Sequence, residues 1–159
     1  MTQTLTLSRA LKAPVTLAWQ LWTEPAYMSM WWGLKDCTIP VCELDVRPGG
    51  RWRIDMRTPD GMIYHNQGEY IAVDPHRRLI YSDIPEQATA EWEGAMPSRR
   101  ENEVTFTPEG DRTRVTLSIN FATAEDRERF LGFGILQGIE QSLDKLEALI
   151  ASLASKVPN

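Results

Sequence analysis

The sequence predicts an α+β domain: a curved antiparallel β-sheet of about six to seven strands wrapped around one long C-terminal helix, with two short helices after the first strand. Three observations carry this. First, residues 51–58 and 113–121 alternate apolar and polar side chains, so each forms a strand with one dry face and one wet face. Second, Arg47-Pro48-Gly49-Gly50, Pro59-Asp60-Gly61 and Pro108-Glu109-Gly110-Asp111 punctuate such segments as turns. Third, Leu136, Ile139, Leu143, Leu146, Ile150 and Leu153 step by three and four along one apolar stripe. A helix of about 30 residues spans roughly 45 Å, which crosses a whole domain. Strands dry on one face need cover, and only this helix is long enough to supply it.

The elements follow in order. Residues 4–11 are rich in β-formers and give the first strand. Pro14 suits a helix's first turn, and Val15, Ala18, Trp19 and Trp22 follow at helical spacing. Glu24-Pro25 breaks that helix; a second short one, 26–31, ends at Gly33. The next strand, 37–46, contains Pro40 and is therefore expected at an edge or bulged. Strand 51–58 places Trp52, Ile54 and Met56 on one face and Arg51, Arg53, Asp55 and Arg57 on the other. Strand 62–73 contains Gly68, which predicts a bulge or bend. Strand 78–83 follows Asp74-Pro75, and 84–99 reads as an irregular loop with some strand around Trp92. Strands 101–107 and 113–121 complete the sheet. Thr123 caps the long helix with Asp126 three residues on, and the helix runs over 124–154, continuous or kinked near Gly132 to Gly138.

The totals exclude several classes. A length of 159 residues makes one domain with its own core. A formal net charge of −5, with Arg51, Arg53 and Arg57 answered by Asp45 and Asp55, argues against a nucleic-acid partner. No apolar run reaches the ~18–20 residues of a membrane span. Residues 1–7 carry no signal-peptide pattern, which places the protein in the cytoplasm as an expectation. Cys37 and Cys42 are five residues apart in an extended segment and point to opposite faces, so no disulfide is expected. With only His65 and His76 beside them, no metal site is expected, and no cofactor. There is no Gly-x-Ser-x-Gly elbow, phosphate loop or dinucleotide fingerprint. Asp55, Glu69 and His65 fall on wet faces, so no catalytic constellation forms and an enzyme is not the expected reading.

Several motifs together resemble the branch of the START-like (Bet v 1-like, SRPBCC) superfamily named after the C-terminal domain of the activator of the Hsp90 ATPase. They are Ala13-Pro14 before Val15 and Trp19; Trp22 to Pro25 leading to Trp31-Trp32-Gly33; Asp45-Val46-Arg47-Pro48-Gly49-Gly50-Arg51-Trp52; Pro59-Asp60-Gly61; Gly68-Glu69-Tyr70; Thr113-Arg114; and Gln141-Ser142-Leu143-Asp144-Lys145-Leu146. They span nearly the whole chain. The resemblance implies the helix-grip fold and a hollow between sheet and helix. Many relatives have Gly-Trp where this chain has Gly134-Ile135, which implies a hollow of different shape.

The dry face admits two readings. Composition alone favours a solid core, whereas the resemblance implies a chamber for a small, mainly apolar ligand. The residues expected to line it are Trp52, Ile54, Met56, Tyr64, Tyr70, Phe121, Phe133 and Leu136. Trp31 and Trp32 either form its mouth or plug the end of the core. Taking the leucine stripe as inward, Gly132 faces the chamber or a close helix–sheet approach. Gly134 and Gly138 face away, toward the loop after Trp31, a local kink or a neighbouring chain. The last of these, with the odd strand 37–46, offers a homodimer as an expectation. Two alternatives to ligand binding stand beside it. One is an Hsp90-type chaperone interaction module, disfavoured because the N-terminal domain of a co-chaperone is missing. The other is a cyclase or hydrolase built in the same hollow.

Overall fold

The computed structural model describes residues 4–83, 100–132 and 134–156. Seven strands form one antiparallel sheet: β1 (Thr4–Leu11), β2 (Thr38–Leu44), β3 (Arg51–Arg57), β4 (Ile63–Asp74), β5 (Arg78–Asp83), β6 (Arg100–Glu109) and β7 (Arg112–Asn120). Their order is β1-β7-β6-β5-β4-β3-β2, so the first strand returns to pair with the last and β2 forms the far edge. Helices α1 (Val15–Thr23) and α2 (Pro25–Trp31) follow β1, and α3 (Ala124–Gly132) and α4 (Ile135–Lys156) close the chain. This is the helix-grip architecture that the alternating strands and the leucine stripe demand.

Local rules account for most boundaries. Pro14 stands at the N-cap of α1, and Pro25, which ends that helix, opens α2 at its first position. Pro40 coincides with a register shift between Thr38 and Val41, on an edge strand as expected. The Thr123 hydroxyl accepts from the Asp126 amide at 3.0 Å and caps α3. The long helix is broken rather than continuous: Gly134 takes φ 73°, a conformation that glycine adopts without cost, and α4 starts anew after it.

Two expectations about the sheet are corrected. Gly68 is no bulge; the β3–β4 register runs through it unbroken, pairing Trp52 with Gly68 and Ile54 with Asn66. It is there for close approach instead. A Cβ at this position would collide with the Ser82 carbonyl oxygen and lie 2.6 Å from Trp52 Nε1. The register irregularity lies further on, between Tyr70 and Ala72 against β5. Asp55, expected on a wet face, is buried, its side chain only 6% exposed. Its phase is outward as predicted, but its neighbours His65 and Arg53 fold over it.

Two ends of the sheet differ. At one, α1 and α2 close the core. Trp22 packs against Trp31 in a tilted pair with ring centres 4.7 Å apart, and both Trp19 and Trp22 meet Phe106 edge to face. Leu11, Leu21, Leu79, Val104 and Leu146 are essentially inaccessible there. At the other end β3, β5 and β7 finish, β4 and β6 begin, and α3 crosses. Here Ile119, Phe121 and Phe130 form a second, smaller cluster.

Candidate functional site

The concave side of the sheet is built by alternation. Met56 pairs with Tyr64, Ile54 with Asn66, Tyr70 with Tyr81, Tyr81 with Asn102 and Val104 with Leu117, so all of these share one face. Trp52 meets Tyr81 edge to face at 5.8 Å, and Tyr81 meets Tyr70 at 6.4 Å. The Trp52 indole is oriented by donating to the Ser82 carbonyl at 3.2 Å across Gly68. Opposite this face, Leu143, Leu146 and Ile150 of α4 pack into the larger cluster.

Burial on this face is uneven. Trp52, Ile54 and Tyr70 are fully buried, whereas Tyr64, Asn66, Tyr81 and Leu117 are half-buried, as are Leu136 and Ile139 of α4. Leu117 and Ile139 touch both clusters and are the bridge between them. Tyr81 is instructive. Protein surrounds it closely enough that burial, helped by the Asp83 and Tyr70 charges, holds its hydroxyl far above the ordinary tyrosine range. Its side chain nevertheless keeps accessible surface.

One polar group interrupts this face. Asp83 Oδ2 accepts from Asn102 Nδ2 at 2.8 Å and from Arg100 Nη2 and Nε at 3.0 and 3.2 Å. The Arg100 guanidinium lies over the Phe130 ring at 5.1 Å and is only 12% exposed. The three polar residues lie in the same phase as Tyr81 and Gly68, hence on the concave side.

The predicted residues separate accordingly. Trp52, Ile54, Met56, Tyr64 and Tyr70 come together on β3 and β4. Phe121 stands apart at the second cluster, beside Phe130 at 5.0 Å. Phe133 and the segment 84–99 lie outside the described residues, as does the Ile135 side chain. Trp31 is the plug: it is buried, and its Nε1 donates to Leu21 O at 2.8 Å. Trp32 is half-buried beside it in a segment strapped to α4. Ser142 Oγ donates to Gly33 O at 2.7 Å, Lys145 Nζ to the Trp32 and Leu34 carbonyls at 3.4 and 3.3 Å, and the Lys35 amide to Gln141 Oε1 at 3.1 Å. Burial lowers the Lys145 ammonium's pKa, as desolvation of a cation must. The strap passes over Met56, whose sulfur accepts from the Leu34 amide at 3.5 Å.

The helix glycines divide. Gly132 is exposed, with open space where a side chain would grow, which removes the close helix–sheet approach there. Gly138 is buried against Leu34 of the strap, which removes it as ground for a dimer. The residues that sequence reasoning passed over are Tyr81, Asp83, Arg100, Asn102, Phe130, Leu117 and Ile139. For Tyr81 and Asp83 the phase was readable from Leu79, and for Arg100 and Asn102 from Val104, two residues at a time. Polar side chains in a dry phase simply carry no periodicity signal.

Strands β2, β3 and β4 form an open depression of about 420 Å³ whose lining includes Leu44, Trp52 and Gly68 as well as Glu43, Asp45, Arg51, Arg53 and Gln67. Charges of both signs line it, as on a solvated strand face. Nearby, Asp55 Oδ1 lies 2.9 Å from His65 Nδ1, and Oδ2 accepts from Arg53 at 3.0 Å. Burial alone would raise the Asp55 pKa; the hydrogen bonds from Arg53 and His65 outweigh it and hold the carboxyl below its ordinary value. Among the described residues no cluster of three or more His, Cys, Asp or Glu can hold a metal, and no helix is long and apolar enough to cross a membrane.

A sheet gripping a C-terminal helix, with its concave face turned to that helix, defines a protein of the START-like class. Within it, the family described as activator of Hsp90 ATPase homolog 1-like protein matches residues 12–151, and the chain belongs to that family. A protein of Mycobacterium smegmatis is 31% identical, with 93% of this chain and 90% of that one covered and a TM-score of 0.80. One from Nitrosomonas europaea is 26% identical over 96% of each chain, with a TM-score of 0.81. The AHSA1 protein from Silicibacter pomeroyi, 20% identical over 93% of this chain and 97% of that one with a TM-score of 0.74, shares the fold. No curated protein matches the chain.

Proposed function

We propose that this protein binds a small, mainly apolar molecule between the sheet and helices α3 and α4. The observation that carries the reading is the divided core. Inward-facing Tyr81 stays half-buried against the larger cluster, and Leu117 and Ile139 stay half-buried where the two clusters meet; a solid core would bury all three. Met56, Tyr64, Phe121 and Leu136 are assigned to its wider end, Trp52 and Tyr70 to its floor, and Trp32 to its rim. Trp31 and Ile54 support the wall from behind.

Two measurements test this. Native mass spectrometry of freshly purified protein is expected to show a co-purified small molecule or uptake of an added one. Titration with the neutral probe N-phenyl-1-naphthylamine is expected to give saturable binding, which Ile139→Trp abolishes while changing thermal stability little. In a solid core the same change would overpack and cost about 1–3 kcal/mol. Absence of probe binding together with such a loss removes the reading.

A further inference from the structure

We infer that the Asp83–Arg100–Asn102 group is a polar anchor for the ligand, and that the ligand is an uncharged amphiphile with a hydroxyl or carbonyl at one end. The inference rests on the binding reading above and goes beyond it in naming the ligand's chemical class.

A carboxylate and a guanidinium placed on an apolar face lose hydration, and replacing such a pair by apolar residues is often neutral or stabilising. Packing therefore gives no reason for the pair to stand here. The pair is also incompletely used. Asp83 Oδ2 takes all three bonds from Arg100 and Asn102, and among the described residues none of the described bonds reaches Asp83 Oδ1. Arg100 Nη1 and Asn102 Oδ1 likewise take part in none of these bonds. Donor and acceptor capacity thus remain side by side in one place.

Charge decides what these groups accept. Arg100 and Asp83 neutralise each other at 3.0 Å, so the cluster offers no net charge to an ion. A ligand carboxylate would meet the Asp83 charge, and a ligand ammonium the Arg100 charge. A hydroxyl satisfies both sides at once, accepting from the guanidinium and donating to the carboxylate. A carbonyl satisfies the donor side alone. Position agrees: Arg100 is fixed over Phe130 at the end where the second cluster sits, and the apolar face runs from there toward Trp52 and Tyr70. A molecule lying along it has its polar end at Arg100 and its apolar body against Tyr81 and Leu117.

The experiment is displacement of N-phenyl-1-naphthylamine by 1-decanol, decane and decanoate from the wild-type protein and from D83N/R100Q. Decanol is expected to displace the probe at about tenfold lower concentration than decane or decanoate, the gain that hydrogen bonds to charged groups supply. D83N/R100Q is expected to lose decanol's advantage over decane, each displacement being measured against the variant's own probe affinity. Equal displacement by decanol and decane from the wild-type protein overturns the anchor while leaving the binding reading in place. Stronger displacement by decanoate overturns the uncharged class. No probe binding at all takes down both. The wild-type comparison holds even if the double variant does not fold.

Discussion

The two ends of the gripped core teach different things. At the end closed by α1 and α2, tryptophans pack together and every prominent polar atom is answered by nearby backbone: Trp31 Nε1 by Leu21 O, and Thr113 Oγ1 by Ala13 O at 2.8 Å. Toward the end where α3 crosses, Phe121 and Phe130 are buried but Tyr64 and Tyr81 are only half-buried, and Asp83, Arg100 and Asn102 bond to one another, Asn102 also reaching the Tyr81 carbonyl. Close packing maximises stability and leaves no room for a guest. The first end therefore holds the fold, and the second is the one to which the ligand is proposed to bind.

The largest test of this contrast is a pair of truncations. Trp31→Ala removes a buried ring and its hydrogen bond and is expected to cost about 3–5 kcal/mol. Leu136→Ala, at the half-buried end, is expected to cost less than half as much and to weaken probe binding instead. Chemical denaturation of both variants checks this, and equal losses would erase the distinction between the ends.

A second test sharpens the contrast between inside and outside of β3. Asp55 is buried on the outer side only because Arg53 and His65 cover it, so Asp55→Asn is expected to cost about 1–3 kcal/mol without altering ligand binding. The folded-state pKa lies below the unfolded one. The stabilisation is therefore fully present above the unfolded value near ~3.9 and disappears as pH falls through the folded value. Stability measured against pH should lose part of its acid limb in the variant; an unchanged limb would show that the pair contributes nothing.

A smaller effect concerns the helices. Gly132→Ala meets open space and is expected to stabilise by up to about 1 kcal/mol, whereas Gly138→Ala must displace the Leu34 side chain and is expected to gain less. Thermal melting orders the two, and a destabilised Gly132→Ala would mean that α3 packs closer than described. The smallest effect is kinetic. Burial pushes the Cys42 thiol up to about 11, so alkylation by iodoacetamide at pH 8.5 is expected to be slower at Cys42 than at Cys37. Equal rates, read by peptide mass spectrometry, would contradict the burial of Cys42.

The sequence by itself determined the elements and the face that each strand shows to the helix. Period-two alternation places Trp52, Ile54 and Met56 on one side whatever the rest of the chain does, and the leucine stripe selects the side of α4 that packs. It also marked the strap and its anchor as motifs, Trp31-Trp32-Gly33 and Gln141 to Leu146, without revealing that they meet. Only the tertiary structure decided which groups became neighbours. Asp83 and Arg100 come from the neighbouring strands β5 and β6, and Asp55 is covered by His65 from the next strand. A pattern along one strand fixes which way a side chain points, but not what arrives opposite it. The burial of Asp55 and the close approach at Gly68 both depend on that second chain segment, and were settled by packing.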